Sequence, residues 1–251
     1  MTSSVAVRCG IRMFIHRILA AGWVLAMFSS QAEPIFHEKY YPSKVVAAPA
    51  VLVLHTSGGY PSIVNKVKQF TDSGYVVYTP DFFKRHSITT QTRFETWTVH
   101  RVEIETELQE IIQLMKSDPR IDSKNIFAVG YSNGGYWASY LAAVGAVNAG
   151  VTNYGVWDFP GNTDGYPAKY FSPTSHPVLA LVGKEDRTQK IERVLPQVYK
   201  AQKISPALKL KIVDATHGWD CAPCNSEYIF NEAVTAEALK STTAFFRENS
   251  K

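Results

Sequence analysis

The chain alternates between near-continuous apolar runs and segments whose apolar residues recur every three or four positions. Residues 45–55 (VVAAPAVLVLH) form an apolar run that ends at Gly58 and Gly59, as expected of a strand covered on both faces. Further strands are expected at residues 75–80 (YVVYTP), 125–129, 149–154 and 178–182, and the last at 208–213. Between them lie segments of helical period. Residues 61–73 place Ile63, Val64, Val67 and Phe70 on one side and end at Gly74. Residues 95–117 carry Val99, Val102, Leu108, Ile111, Ile112 and Met115 and stop at Asp118-Pro119. Residues 136–147 make a small-residue helix, and residues 189–203 another in which Pro196 predicts a kink or break. Residues 227–248 close the chain with Ile229, Ala233, Ala236, Leu239 and Phe245 directed inward. Strands alternating with helices, with no internal repeat, predict a mostly parallel α/β sheet with helices on both faces.

Residues 155–177 are the longest stretch without a predicted element, and they carry Trp157, Phe159, Tyr166, Tyr170 and Phe171. A loop of this length within a compact domain is usually functional or mobile. No linker divides residues 33–251, which read as a single domain.

The first 32 residues follow another pattern. Arg8, Arg12 and Arg17 precede an apolar run of 11 residues at 18–28, and Ser30 and Ala32 supply small residues after it. This order is that of a secretory signal cleaved after Ala32. The run falls well short of the ~20 apolar residues that span a bilayer. The expected location is therefore secreted or periplasmic, with no stable membrane association after cleavage. Composition is ordinary for a globular protein, with 45% apolar and 19% charged residues. The signal holds three of the 26 basic residues and none of the 22 acidic ones, so residues 33–251 carry a net charge of +1. That near-neutral balance gives no footing for nucleic acid as a partner. Cys221 and Cys224 stand in a Cys-Ala-Pro-Cys run. In an oxidising compartment the expectation is a local disulfide. The alternatives are a redox pair, which would want a helix start, and half a zinc site, which lacks two ligands. No metal or organic cofactor is expected.

The candidate chemistry begins at residues 130–134, Gly-Tyr-Ser-Asn-Gly. An apolar strand precedes this Gly-x-Ser-x-Gly run and a helix follows it, the context of a nucleophile elbow centred on Ser132. A serine hydroxyl is a weak nucleophile until a base takes its proton. In this architecture the acid and then the histidine follow in chain order. His217 is the one histidine between the last strand and the closing helix, so it is the candidate base. The acid should follow the strand at 178–182, where Asp186 is favoured, with Glu185 as its neighbour and alternative. Asp214 lies closer in sequence to His217 but belongs to a strand end. Two backbone N–H groups are needed for the oxyanion. Asn133 supplies one, and the loop His55-Thr56-Ser57-Gly58-Gly59 the other, through Ser57 or Thr56. Tyr60, Tyr131 and Trp157 are candidates for contacting substrate, or for packing beneath the long loop.

The segments VLVLHTSGG, GYVVYTPDFF, DPRIDSKNIFAVGYSNGG, VLALVGKED and DATHG, in this order, resemble the dienelactone hydrolase family of the α/β-hydrolases. The resemblance spans nearly all of residues 33–251. It implies the α/β-hydrolase fold without a large lid, and hydrolysis of small esters or lactones through an acyl-enzyme. The chain departs from the family pattern in three places. Ser132 stands where the family carries cysteine, which points to a more general serine esterase. Thr56 replaces the first glycine of a His-Gly-x-Gly-Gly loop. The cysteine pair beside His217 is not a family hallmark. The expected activity is therefore hydrolysis of a small-molecule ester. Acyl transfer or peptide hydrolysis by the same residues, and a non-catalytic binding protein on the same fold, are the alternatives.

Overall fold

Among the described residues, seven strands form one sheet in the order β1-β3-β2-β4-β5-β6-β7. The computed structural model describes residues 37–43, 45–221 and 227–251; the expected signal segment and Cys224 lie outside the described residues. The strands are β1 (His37–Tyr40), β2 (Ala48–Leu54), β3 (Val76–Pro80), β4 (Ile121–Tyr131), β5 (Gly150–Asn153), β6 (Val178–Gly183) and β7 (Leu208–Val213). Only β1 runs antiparallel, against β3. All other neighbours pair in parallel. Among the described residues the α-helices are α1 (Val64–Asp72), α2 (Arg101–Ser117), α3 (Asn133–Ala143), α4 (Ile191–Ile204) and α5 (Glu232–Glu248).

Alternation along the strands sorts their side chains into two cores. Ala50, Leu52 and Leu54 of β2 pack with α2, α3 and α4 on one face. Val51 and Val53 pack with α1 and α5 on the other. A strand with both faces covered cannot alternate polar with apolar residues, which is why the central strands are continuous apolar runs. Trp137 and Trp157 on the first face, and Trp219 on the second, are the largest fully buried side chains. Each such side chain contributes roughly 2–3 kcal/mol through burial.

Several sequence expectations shift. β1, with the sequence HEKY and its two middle residues exposed, carries no apolar signal. Asp118 helps secure its neighbourhood: one carboxylate oxygen accepts from Tyr41 just beyond β1 and from Tyr78 on β3, at 2.9 and 3.1 Å. The helix expected at 95–117 begins only at Arg101, because residues 93–96 form a separate 3₁₀ turn. Val99 and Val102 are consequently exposed, and the buried stripe starts at Ile104. Val64, expected to face inward on α1, is also exposed, as is Ile229 ahead of α5. The Asn231 side chain accepts from the Val234 N–H at 3.1 Å and starts α5 at Glu232. Val234, Ala238, Phe245 and Phe246 then set the buried face, leaving Ala233 and Ala236 exposed. Pro196 does not break α4. It sits on the exposed side, where water can satisfy the carbonyl that its missing N–H leaves open.

Candidate active site

β4 delivers Ser132 at its carboxyl end, and α3 starts at the next residue. Ser132 has φ 49° and ψ −110°, a conformation that costs a non-glycine residue energy and persists only when its surroundings fix it. Those surroundings are backbone hydrogen bonds. The Ser132 N–H donates to the Asn153 carbonyl at 3.0 Å, and the Ser132 carbonyl accepts from Gly135 and Val156 at 3.0 and 3.1 Å. The tight turn leaves no room for side chains beside it. A Cβ on Gly134 would lie 2.3 Å from the Leu54 carbonyl oxygen, and one on Gly130 would lie 2.0 Å from the Gly134 carbonyl oxygen.

His217 follows β7 in a loop that turns at Gly218, whose φ is 63°. The loop after β6 is stitched to it: Lys184 N–H donates to the Val213 carbonyl at 2.9 Å and Glu185 N–H to the Ala215 carbonyl at 3.1 Å. This brings three residues distant in the chain into one line. The Ser132 hydroxyl donates to His217 Nε2 at 2.9 Å. His217 Nδ1–H donates to Asp186 Oδ2 at 2.7 Å. The other carboxylate oxygen, Oδ1, accepts from the N–H groups of Thr188 and Gln189 at 2.8 and 2.6 Å. All three side chains belong to buried residues. Between the two acidic candidates the imidazole meets Asp186, while Glu185 is exposed. Asp214 is also solvent-facing and pairs with Lys184 at 3.5 Å.

The loop after β2 lies against the elbow. Gly134 N–H donates to the His55 carbonyl at 2.9 Å. Thr56 N–H donates to Ser62 Oγ at 3.1 Å. His55 is fully buried, stacked on Phe82 with ring centroids 3.7 Å apart. Its Nδ1–H donates to the Thr56 carbonyl at 2.7 Å. Burial pushes its pKa down to about 4, with the Thr56 carbonyl and Asp81 opposing. The 3₁₀ turn at Arg93–Thr96 touches the helix start, where Asn133 Nδ2 donates to Thr96 Oγ1 at 3.3 Å.

The other predicted residues fall as follows. Tyr60 is half-buried beside the β2 loop, its hydroxyl meeting that of Tyr40. Tyr131 and Trp157 are buried, the first near Tyr154 and the second stacked on Phe171. Cys221 is disulfide-bonded. An open cleft of about 720 Å³ lies on the acid's side, lined by Asp186, Lys184, Arg187, Thr216 and Ile229 among others. Among the described residues no group of three or more His, Cys, Asp or Glu is placed to hold a metal ion.

Sequence reasoning missed a second buried group next to the histidine. Lys66 Nζ lies 2.8 Å from Asp220 Oδ2, and Tyr154 donates to Asp220 Oδ1 at 2.5 Å. The available signal was Lys66 itself, a cation three residues after Ile63 and four before Phe70 on the inward face of α1.

The family profile described as Dienelactone hydrolase family matches residues 38–250. No curated protein matches the chain. Solved structures do. A putative dienelactone hydrolase from Klebsiella pneumoniae is 18% identical, with a TM-score of 0.73 over 87% of this chain and 95% of that one. The dienelactone hydrolase-like promiscuous phosphotriesterase P91, from metagenomic libraries, is 16% identical, with a TM-score of 0.68 over 86% and 92%. Esterase 2 of Thermogutta terrifontis, phosphoramylated by tabun, is 16% identical, with a TM-score of 0.63 over 84% and 88%. At these identities the structures speak for the fold, and the profile speaks for the family. With its mostly parallel sheet and its elbow in place, the chain has the α/β-hydrolase fold and belongs to the dienelactone hydrolase family.

Proposed function

We propose that this protein is an exported serine hydrolase that cleaves carboxylic esters or lactones through an acyl-enzyme. The observation that carries the reading is the unbroken line from hydroxyl to imidazole to carboxylate, at 2.9 and 2.7 Å. Ser132 Oγ attacks the carbonyl carbon while His217 Nε2 takes its proton. The carbonyl π electrons move to oxygen, and the tetrahedral intermediate collapses as His217 returns the proton to the departing alkoxide. Water then repeats the sequence on the acyl-serine, releasing the acid and restoring the hydroxyl. Asp186 holds the imidazole tautomer and stabilises the imidazolium.

Backbone geometry favours Asn133 and Ser57 as oxyanion donors. The Asn133 N–H opens α3, so it has no intrahelical partner. The Thr56 N–H is taken by Ser62. The Thr56 carbonyl is held by His55. In a planar trans peptide the Ser57 N–H points opposite to that carbonyl. Among the aromatic candidates, Tyr60 retains exposed surface and is assigned to substrate. The burial of Tyr131 and Trp157 favours packing as their role. Residues 1–32 would direct the protein out of the cytoplasm. There a Cys221–Cys224 bridge would stiffen the loop that carries His217.

The test is labelling of purified protein by a fluorophosphonate probe, alongside a chromogenic ester panel of increasing acyl length. The esterase 2 structures phosphorylated by paraoxon and phosphonylated by cyclosarin make an organophosphorus probe a reasonable choice for this fold. Wild-type protein should label and turn over short esters, and Ser132→Ala should do neither. A folded wild-type protein that does not label, or a Ser132→Ala variant that labels equally, overturns the reading.

A further inference from the structure

Behind His217 lies a buried charged group that the relay does not use. Lys66 and Asp220 have side chains only 8% and 6% exposed, and they pair at 2.8 Å. Lys66 Nζ also donates to the Asp220 main-chain carbonyl at 3.0 Å, so it grips the residue twice. The second carboxylate oxygen accepts the Tyr154 hydroxyl at 2.5 Å. Tyr154 follows β5, and its ring meets the His217 imidazole edge-on, with centroids 4.8 Å apart. The same ring packs against Trp219 at 4.7 Å. Lys66 Nζ lies 5.3 Å from the centre of the Tyr131 ring, and Tyr131 is the residue before the nucleophile.

An ion pair of this kind is costly to bury and pays back only when its remaining hydrogen-bonding positions are filled. Here the Tyr154 hydroxyl fills the second carboxylate oxygen and the Asp220 main-chain carbonyl a second ammonium hydrogen, with the Tyr131 ring beside the ammonium. Lys66 comes from α1, which follows the oxyanion loop. Tyr131 ends β4, Tyr154 follows β5, and Asp220 lies three residues after the histidine. Apolar residues of equal volume would pack the same space without the desolvation cost, yet could not fix the direction of the Tyr154 ring.

We propose that Asp220 is a positioning residue, which holds Tyr154 against the face of His217 and so keeps the imidazole aimed at Ser132. The proposal rests on the reading of Ser132 and His217 as nucleophile and base. Asp186 holds the ring at Nδ1, and the bond from Nε2 to Ser132 is given up each time the hydroxyl reacts. Packing of Tyr154 against the ring keeps its tilt when that second bond is broken. Tyr228, at 5.4 Å from the imidazole, also faces it.

Three variants test this. Tyr154→Phe keeps the ring and removes only the hydroxyl that Asp220 holds. Expected is a fall in kcat of about tenfold, with KM changed less than about twofold. Asp220→Asn removes the negative charge that lies one tyrosine away from the imidazole and leaves Lys66 uncompensated, which disfavours the imidazolium. The acid limb of the kcat/KM profile should therefore move down by about half a pH unit. The double variant Lys66→Met/Asp220→Asn removes both charges and should return that limb to its wild-type position. Asp186 meets the imidazole at Nδ1, and the cleft on that side also carries the charged residues Lys184, Glu185, Arg187, Lys190, Glu192 and Glu227, whose surfaces are open to water or partly so. None of these is altered by the substitutions. If folded Tyr154→Phe keeps wild-type kcat, or if the acid limb stays fixed in Asp220→Asn, the positioning role is overturned. Probe labelling of wild-type protein separates this failure from failure of the serine-hydrolase reading. A wild-type protein that labels and turns over, beside silent variants, refutes only the role of Asp220.

Discussion

Replacing Asp186 with asparagine tests the relay most sharply, because the structure dictates how the new amide must sit. Asp186 Oδ1 faces two N–H donors, those of Thr188 and Gln189. Only an oxygen can occupy that position without setting N–H against N–H. The asparagine amide nitrogen is therefore forced to the Oδ2 position, 2.7 Å from His217 Nδ1 in the wild-type geometry. It is a donor there, so Nδ1 must become the acceptor and the imidazole proton moves to Nε2. Nε2 then presents a proton to Ser132 Oγ and can no longer take one. Every hydrogen bond in the line survives, so the fold should be unaffected and the melting temperature should stay within a few degrees. Catalysis should not survive. In a Ser–His–Asp system the wrong tautomer lowers turnover by about 10⁴, equivalent to about 5 kcal/mol of transition-state stabilisation. The assay is kcat on a short chromogenic ester, with the rate of fluorophosphonate labelling as a second readout that also requires deprotonation of Oγ. Both should fall together. A folded Asp186→Asn variant that keeps more than about a tenth of wild-type kcat would refute the assignment of Asp186 and the tautomer argument with it.

Two further outcomes follow from buried groups near the site. His55 stays neutral in the fold, with its pKa pushed down to about 4 by burial, whereas an unfolded histidine titrates near 6.5. The unfolded state therefore binds the extra proton first, and stability is lost as pH falls from about 6.5 towards 4. Between pH 7 and 4.5 this group should account for about 2–3 kcal/mol of the loss. Urea unfolding of His55→Asn at both pH values should show the loss reduced by that amount, and an unchanged pH dependence refutes it. Gly134→Ala would place a Cβ 2.3 Å from a main-chain oxygen in β2, where no flexible side chain can yield. Expected is a destabilisation of at least about 3 kcal/mol, read as a large fall in melting temperature; a shift of only a degree or two would show that the elbow relaxes.

The central strands were legible because burial on both faces leaves them a single chemical character. β2, β3, β5 and β6 appear in the sequence as apolar runs close to their observed bounds, whereas β7 (LKLKIV), at the other edge, mixes apolar residues with lysines. β1 was invisible for the converse reason. It lies at the edge, its middle residues face water, and its place depends on backbone pairing with β3, which leaves no mark on side-chain composition. The first four residues of β4, IDSK, were missed likewise. Errors in the helices arose where periodicity was extended through residues that belong to a turn. Val99 follows the 3₁₀ turn at Arg93–Thr96, and Ile229 precedes the Asn231 cap. A count of apolar spacings cannot detect a change in helix axis.

The site divides along a similar physical line. Ser132, Asp186 and His217 are recognisable because each occupies a position where the backbone admits few solutions. The elbow excludes any Cβ at Gly130 and Gly134, and the acid and base must stand just past β6 and β7 to reach the same point in space. Chain order alone therefore narrows the choice, even without an alignment. Residues that act through others face no such restriction. The carboxylate of Asp220 and the ammonium of Lys66 are separated by 154 positions and joined by one contact of 2.8 Å, and neither stands at a strand end or beside a required glycine. What marks them is energetic. A charge on the buried face of an amphipathic helix is unfavourable unless something distant compensates it, so Lys66 on α1 implies an acidic partner somewhere in the fold. That inference could be drawn from the sequence; the identity of the partner could not, because it depends on how closely the loop after β7 folds back over α1.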